Sequence, residues 1–309
     1  MSVAVITRTK NRPLLLRRAL ESVLAQTHSD WVHIVVNDGG DPARVEQAIE
    51  PLRARYAGRI QLLHHPVSLG MEAASNAGIR ASGAELVALL DDDDSWDPAF
   101  LAEAAAFLSD NRRLECGGVA TQTVVIHEAL GPDGVPALRS KESWNASLTQ
   151  VSLFQMAAHN LFTNNAFVFR RAHWAELGGF NEQLPVLGDW EFNLRFLERW
   201  NIGMIARPLA NYHRRASAPE GDYSNSTAPA HQECDAWLRN ELLRRDLQSG
   251  KFGLGALVNL SKELEQQRRR QLLLENHVQL IGNGTRAIEG GQKTLAQAVQ
   301  LLLKHVGLG

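Results

Sequence analysis

Short apolar runs alternate with amphipathic stretches over the first hundred residues. "VAVIT" (3–7), "WVHIVVND" (31–38), "IQLLHH" (60–65) and "LVALL" (86–90) read as buried strands. Between them, 13–27, 42–57 and 71–82 carry apolar residues at helical spacing; Pro13 suits a helix start, and Gly83 closes the third stretch. Strand–helix alternation of this kind predicts an α/β fold with a mostly parallel, doubly wound sheet. Ligands of such sheets bind beyond the carboxyl ends of the strands. Asp38 and Asp91 to Asp94 follow strand ends directly, so they should meet on one rim.

After residue 98 the pattern changes. The spacing predicts a helix over 98–109, capped by Asp97, a strand over 117–127, and a loop or hairpin over 128–145. A helix near 147–158, a strand at 164–170, a turn at "LGGFN" (177–181) and a helix at 188–200 follow. "IGMIARPLANYHRR" (202–215) begins as a strand. Residues 216–229 are rich in small and turn-forming types and read as a flexible loop, which would order over a bound donor. From 230 to 309 the chain reads as helical, with "GNG" (282–284) separating its last two helices. The expected organisation is a domain over 1–215, the loop, and a helical C-terminal extension.

Composition excludes some classes. The chain has 309 residues, 44% of them hydrophobic, and a net charge of −2, so nothing global favours nucleic acid. Its two cysteines, Cys116 and Cys234, give no metal spacing and no disulfide framework. The start lacks the order of a secretory signal, and no apolar run reaches the length of a membrane span. A cytoplasmic protein is expected, with peripheral membrane contact left open. The last sixty residues hold eight Lys or Arg against four Asp or Glu; packing on the main domain is the first reading of this tail, self-association or docking to another protein the next, and a membrane-surface helix the last.

The chemistry lies in "LVALLDDDDSWDP" (86–98). Adjacent carboxylates repel, and a partly buried cluster needs cations or protons. Oxygen ligands suit Mg²⁺ or Mn²⁺, which take one or two carboxylates and complete their shell with water and phosphate. Continued strand geometry would point Asp91 and Asp93 one way and Asp92 the other.

Several motifs stand in order: "VAVITRTKNRPLLLRRALESVLAQT", "VVNDGGD", "SLGMEAASNAGIRASGAELVALLDDDDSWDP", "NNAFVFRRAHWAELGGFNEQLPVLGDWEFNLRF" and "YHRR". Together, over residues 2 to 215, they resemble an inverting family 2 glycosyltransferase with a GT-A, Rossmann-like nucleotide-sugar-binding fold. That resemblance implies a base contact from Asp38 and from the backbone near Thr7 and Arg8. It implies a ribose contact from Asp92, a DxD pattern of Asp91 and Asp93, and a metal held by Asp93 and His213. Asn76 and Arg214 would belong to the donor site, and Asp189 of "GDWE" would be the catalytic base. The chain departs from the family at Asn37, where a second aspartate is common, and at Ser75, where arginine often precedes the asparagine.

An inverting transfer needs one carboxylate on the acceptor side to take the hydroxyl proton. Asp189 and Glu191 are the candidates; Glu191 fits a helix-dipole role, and Trp190 a sugar-stacking or a core role. His64-His65 ends a strand without matching partners. The implied partners are a nucleoside-diphosphate sugar, UDP being the default base, and a glycan or glycolipid acceptor. The rivals are a haloacid dehalogenase-type phosphatase using Asp91 and Asp93, a sugar nucleotidyltransferase, and an inactive nucleotide-sugar-binding scaffold. The first leaves Asp38 and "GDWE" unexplained, and the second lacks a glycine-rich phosphate loop in "TRTKNRP".

Overall fold

The computed structural model describes residues 1–110, 115–130, 136–215 and 228–305. In chain order its elements are β1 (Val3–Thr9), α1 (Pro13–Leu24), β2 (Trp31–Asp38), α2 (Pro42–Ile49), α3 (Arg53–Tyr56), β3 (Ile60–His65), α4 (Met71–Arg80), β4 (Leu86–Leu89) and β5 (Ser95–Trp96). There follow α5 (Phe100–Ser109), β6 (Cys116–Leu130), β7 (Pro136–Ser143), α6 (Leu153–Ala158), β8 (Phe167–Arg170), α7 (Arg171–Glu176), α8 (Gly188–Leu197), β9 (Asn201–Arg214), α9 (Ala228–Ser249) and α10 (Leu254–His305).

One sheet runs in the order β3-β2-β1-β4-β8-β6-β9-β5, with β7 added to β6. Its first half is the parallel α/β sheet that the alternation predicts: β1 pairs in parallel with β2 and β4, and β2 with β3. β8 then inserts antiparallel between β4 and β6, and the parallel pair β6·β9 extends the sheet. Val3, Val5, Ile6, Ile34, Val35, Val36, Val87 and Leu89 are buried, as strands covered on both faces require. The C-terminal ends of the parallel strands form the rim that carries the aspartates.

Some elements differ from the expected ones. The helical stretch 42–57 breaks into α2, a 3-10 turn at Glu50–Leu52 and α3, because Pro51 cannot donate into a continuing helix. The predicted end of the first strand moves out to Thr9, bringing Arg8 to the rim. Of the two readings of 128–145, loop or hairpin, the second holds: β6 runs to Leu130 and pairs antiparallel with β7. β9 stays extended to Arg214. "LGGFN" is the turn expected; Gly178 and Gly179 have φ of +78° and +84°, a region closed to most side chains.

"GNG" does not separate two helices: α10 is continuous from Leu254 to His305. A glycine costs a helix about 1 kcal/mol relative to alanine but leaves its hydrogen bonds intact, unlike a proline. The segment 216–229 falls almost wholly outside the described residues. The chain forms two compact units, Met1–Asn259 and Leu260–Gly309, so α9 belongs with the first. In that unit Cys234, Leu238 and Val258 are buried, and Arg239 donates to the carbonyls of Ala157 (3.1 Å), Ala158 (2.9 Å) and Val258. No helix among the described residues is long and apolar enough to cross a membrane.

His33 lies on β2 with no exposed surface. Tyr56 Oη donates to the Leu20 carbonyl (3.0 Å), so it accepts from His33 Nδ1 (2.9 Å), and His33 Nε2 accepts from Thr7 Oγ1 (2.9 Å). Burial holds this imidazole neutral and pushes its pKa from 6.5 down to about 3. Between those values the unfolded chain binds a proton that the folded chain refuses, so stability falls as pH falls through the window. The expected slope from this group is about 1.4 kcal/mol per pH unit. Urea unfolding of wild type and His33→Gln from pH 7 to 4 should show a steeper acid loss in wild type.

Candidate active site

β4 hands the chain to the rim, where Leu90 N–H donates to the Ile6 carbonyl (2.9 Å). Asp91 to Asp94 then form a turn, with Asp94 N–H donating to the Asp91 carbonyl (3.1 Å). A turn does not keep the period of two, so the expected split between Asp92 and its neighbours is replaced by a distinct set of partners for each carboxylate, with Arg12 shared between Asp92 and Asp93. Asp91 accepts from Arg8 Nε (2.8 Å). Asp92 accepts from Thr9 Oγ1 (2.7 Å) and lies 3.5 Å from Arg12 Nε. Asp93 accepts from Arg12 Nη1 (3.4 Å) and from Arg215. Asp94 accepts the backbone N–H of His213 (2.9 Å), tying the turn to β9. Burial raises Asp92 to about 7, with Arg12 opposing and Asp93 adding to the rise. Burial and the charges of Asp93 and Asp91 raise Asp94 as well.

β9 supplies the second side. Its alternation buries His213 and Arg215 and leaves Arg214 exposed. Arg214, a donor-site candidate by sequence, therefore faces away, and Arg215 takes its place against Asp93 and Glu128. Glu128 is a residue that the sequence reading missed. A register shift between His127 and Glu128 falls at this point of β6, and the Glu128 side chain is buried. It accepts from Arg18 Nη2 (2.8 Å) and His213 Nδ1 (2.9 Å). Burial alone would raise Glu128, yet His213 and Arg18 hold it below the usual carboxylate range. Arg18 also donates to the Asp93 carbonyl (2.9 Å).

The third side is the start of α8. Asp189 is half-buried in its first turn, accepting from Trp190 N–H (2.8 Å) and Asn160 Nδ2 (2.8 Å). Burial raises its pKa; Trp190 N–H and Arg8 oppose the rise, and the charge of Asp91 adds to it. Glu72 of α4 is buried beside it: a Cβ at Gly188 would collide with the Glu72 carboxyl, which explains the glycine of "GDWE". Burial, opposed by Arg8 and assisted by Asp189, lifts Glu72 to about 7. Arg8 links these groups, lying 3.6 Å from Glu72 and donating to Asp91 and to Ser75 Oγ (3.1 Å).

Other candidates have structural work. Asp38 accepts from His65 Nδ1 (2.8 Å), Leu69 N–H (2.8 Å), Ser68 Oγ (2.7 Å) and Gly70 N–H (3.0 Å), fixing the chain between β3 and α4. Burial opposes its ionisation, but those donors hold it below the ordinary aspartate value. His65, read from the sequence as no metal ligand, is one of the four donors. Asn76 donates to the Phe180 carbonyl (2.9 Å) and Glu182 (2.8 Å), and accepts from Trp174 Nε1 (3.0 Å) and Phe180 N–H (2.9 Å). That uses its full hydrogen-bonding capacity and leaves nothing for a donor. Thr7 is buried against His33. Trp190 is a core residue, donating to the Met156 carbonyl (2.7 Å) under Arg239, and Glu191 pairs with Arg195 (2.6 Å).

Among the described residues no three His, Cys, Asp or Glu side chains are grouped to hold a metal ion. Asp93 and His213 nevertheless suit a hard cation. The Glu128 carboxylate takes Nδ1–H of His213, which makes Nε2, 3.0 Å from Ser95 Oγ, the ring's acceptor and the atom that would face a cation. Two protein ligands are enough for an ion that also binds phosphate and water.

The sequence profile of Glycosyl transferase family 2 matches residues 4–175. The chain is 24% identical over 275 residues to the uncharacterized glycosyltransferase YwdF of Bacillus subtilis, covering 87% of this chain and 92% of that one. Its fold is similar to S. aureus TarS 1-349 in complex with UDP-GlcNAc, at TM-score 0.56 and 19% identity over 79% of this chain and 67% of that one. It is similar also to the mannosyltransferase PcManGT from Pyrobaculum calidifontis in complex with GDP-Man and Mn²⁺, at TM-score 0.58 and 17% identity over 85% and 69%. These likenesses identify a GT-A architecture.

Asn76→Ala would strand the buried N–H groups of Trp174 and Phe180. Chemical denaturation should show a loss of about 2–4 kcal/mol. Nucleotide affinity measured on the folded fraction should stay unchanged; weaker binding at full stability would return Asn76 to the donor site.

Proposed function

The chain belongs to glycosyl transferase family 2, and on that premise we propose that this glycosyltransferase inverts the anomeric centre, uses a divalent metal, and moves a sugar from a nucleoside diphosphate to a hydroxyl acceptor in glycan synthesis. The observation that carries the reading is the arrangement around Arg8. Arg8 donates to Asp91 of the aspartate turn, and the charges of Glu72 and Asp189 act on the same guanidinium.

Asp189 is the base. Its two oxygens are oriented by Trp190 N–H and Asn160, and its raised pKa makes it a better proton acceptor than a solvated aspartate. Arg8 keeps it ionised while balancing Asp91. Arg12 and Arg215, which neutralise Asp93, are the cations a diphosphate would meet. Asp92, held by Thr9, serves the ribose, while Asp38 shapes the base pocket by ordering residues 68–70. Mg²⁺ or Mn²⁺ on Asp93 and Nε2 of His213 would supply Lewis-acid stabilisation of the leaving diphosphate. UDP is the working base; the similar proteins above bind UDP-GlcNAc and GDP-Man, so both nucleotides belong in the test.

The test is a thermal-shift panel of UDP, dTDP, GDP and CMP with and without Mn²⁺, on wild type, Asp93→Ala and Asp189→Asn. One nucleoside diphosphate should stabilise wild type and Asp189→Asn in the presence of metal, and fail to stabilise Asp93→Ala. Transfer by Asp189→Asn should drop about 10²–10⁴-fold. No stabilisation by any nucleotide would sink the reading, and binding without transfer in wild type would leave a scaffold. The acid limb of the transfer rate should lie above the ordinary aspartate pKa of 3.8, because the base must be deprotonated and its pKa is raised. Arg215→Ala should weaken nucleotide binding far more than Arg214→Ala.

A further inference from the structure

α10 spans 52 residues, and its part beyond Asn259 forms a compact unit of its own. Leu260, Leu264, Leu274 and Val278 are all about half or more exposed, at 51%, 51%, 66% and 69%. Their spacing is that of a heptad whose a positions are 264, 271, 278, 285, 292 and 299 and whose d positions are 260, 267, 274, 281, 288, 295 and 302. The d positions read Leu, Gln, Leu, Ile, Ile, Leu, Leu, and the a positions Leu, Gln, Val, Thr, Gln, Val. Nine of these thirteen positions are apolar, a repeat of 3.5 residues that suits a supercoiled helix with a partner.

The flanking charges say which partner. Glu263 and Arg270 fall at g, and Arg268 and Glu275 at e. In a parallel, in-register pair each g residue faces the e residue five positions on in the other chain. Glu263 then meets Arg268, and Arg270 meets Glu275, both with opposite sign. One helix carries both halves of each pair, so its complement is itself. Gln267, Gln271 and Gln292 place polar layers in the seam, a device that fixes register. The glycines at 282, 284, 290 and 291 all miss a and d. At about 1 kcal/mol each they weaken an isolated helix but leave the seam whole.

We propose that α10 beyond Asn259 forms a parallel two-stranded coiled coil with a second copy of this chain, its seam running through Leu260, Leu264, Leu274 and Val278. Leu272 and Leu273 lie off the seam at b and c and take no part in it.

Sedimentation equilibrium of the full chain at tens of micromolar should give twice the chain mass. Leu274→Glu with Val278→Glu should raise the dimer dissociation constant about 100-fold or more, because a charge buried in the seam has no partner. The melting of the first unit should not change. Charge exchange isolates the pairing from folding. Glu263→Arg with Arg270→Glu should weaken the homodimer, as should Arg268→Glu with Glu275→Arg, and mixing the two variants should restore a dimer. A monomeric wild type overturns the proposal, including one that cosediments with anionic lipid vesicles. So does a dimer indifferent to the seam and charge substitutions.

Discussion

The molecule is built around one electrostatic constraint: acidic side chains crowd the rim of a sheet whose strands are buried, and each needs a cation. Arg8, Arg12 and Arg18 come from the end of β1 and the start of α1, and Arg215 comes from just beyond β9. The first eighteen residues therefore do more than start the sheet. They deliver the guanidinium groups that let Asp91, Asp92, Asp93 and Glu128 sit together. Arginine suits this role because it stays charged when desolvated and reaches two carboxylates at once. Arg12 does so with Asp92 and Asp93, and Arg215 with Asp93 and Glu128.

The same network explains how far the sequence could be read. The parallel half of the sheet was legible because each strand there is a short apolar run bounded by an amphipathic helix. Strand-end aspartates follow from that pattern without further information. The antiparallel half was harder. The pairing of β8 between β4 and β6 is non-local, and a β6 that continues past a register shift looks like the start of a loop. Glu128 was lost for that reason. The exchange of Arg214 for Arg215 has a similar cause: strand parity decides which of two adjacent arginines faces in, and parity needs the register of β9. Asn76 is placed in the donor site, and Trp190 is left between sugar and core, because motif order reports their presence and not the neighbours that use up their polar atoms.

The Asp189 carboxylate is positioned through a chain of contacts that reaches beyond the α/β core. Trp190, next to Asp189, is buried under Arg239 of α9, and Arg239 ties the carbonyls at the end of α6 to Val258. Asn160, just past α6, orients Asp189 directly. The early part of the helical tail is thus part of the scaffold of the site, and a description that ends the working domain at residue 215 leaves out its support.

Arg8 and Ser75 have one more consequence, and it concerns descent. The Arg8 guanidinium rests on the hydroxyl of Ser75, which has no exposed surface. A long cation at 75 would need the volume that Arg8 already fills, and would bring a second positive charge to one cluster of acids. Among homologues the two positions should therefore trade places through time: lineages that carry arginine on the strand should keep a small residue on the helix, and a reversal at one should be followed by a reversal at the other.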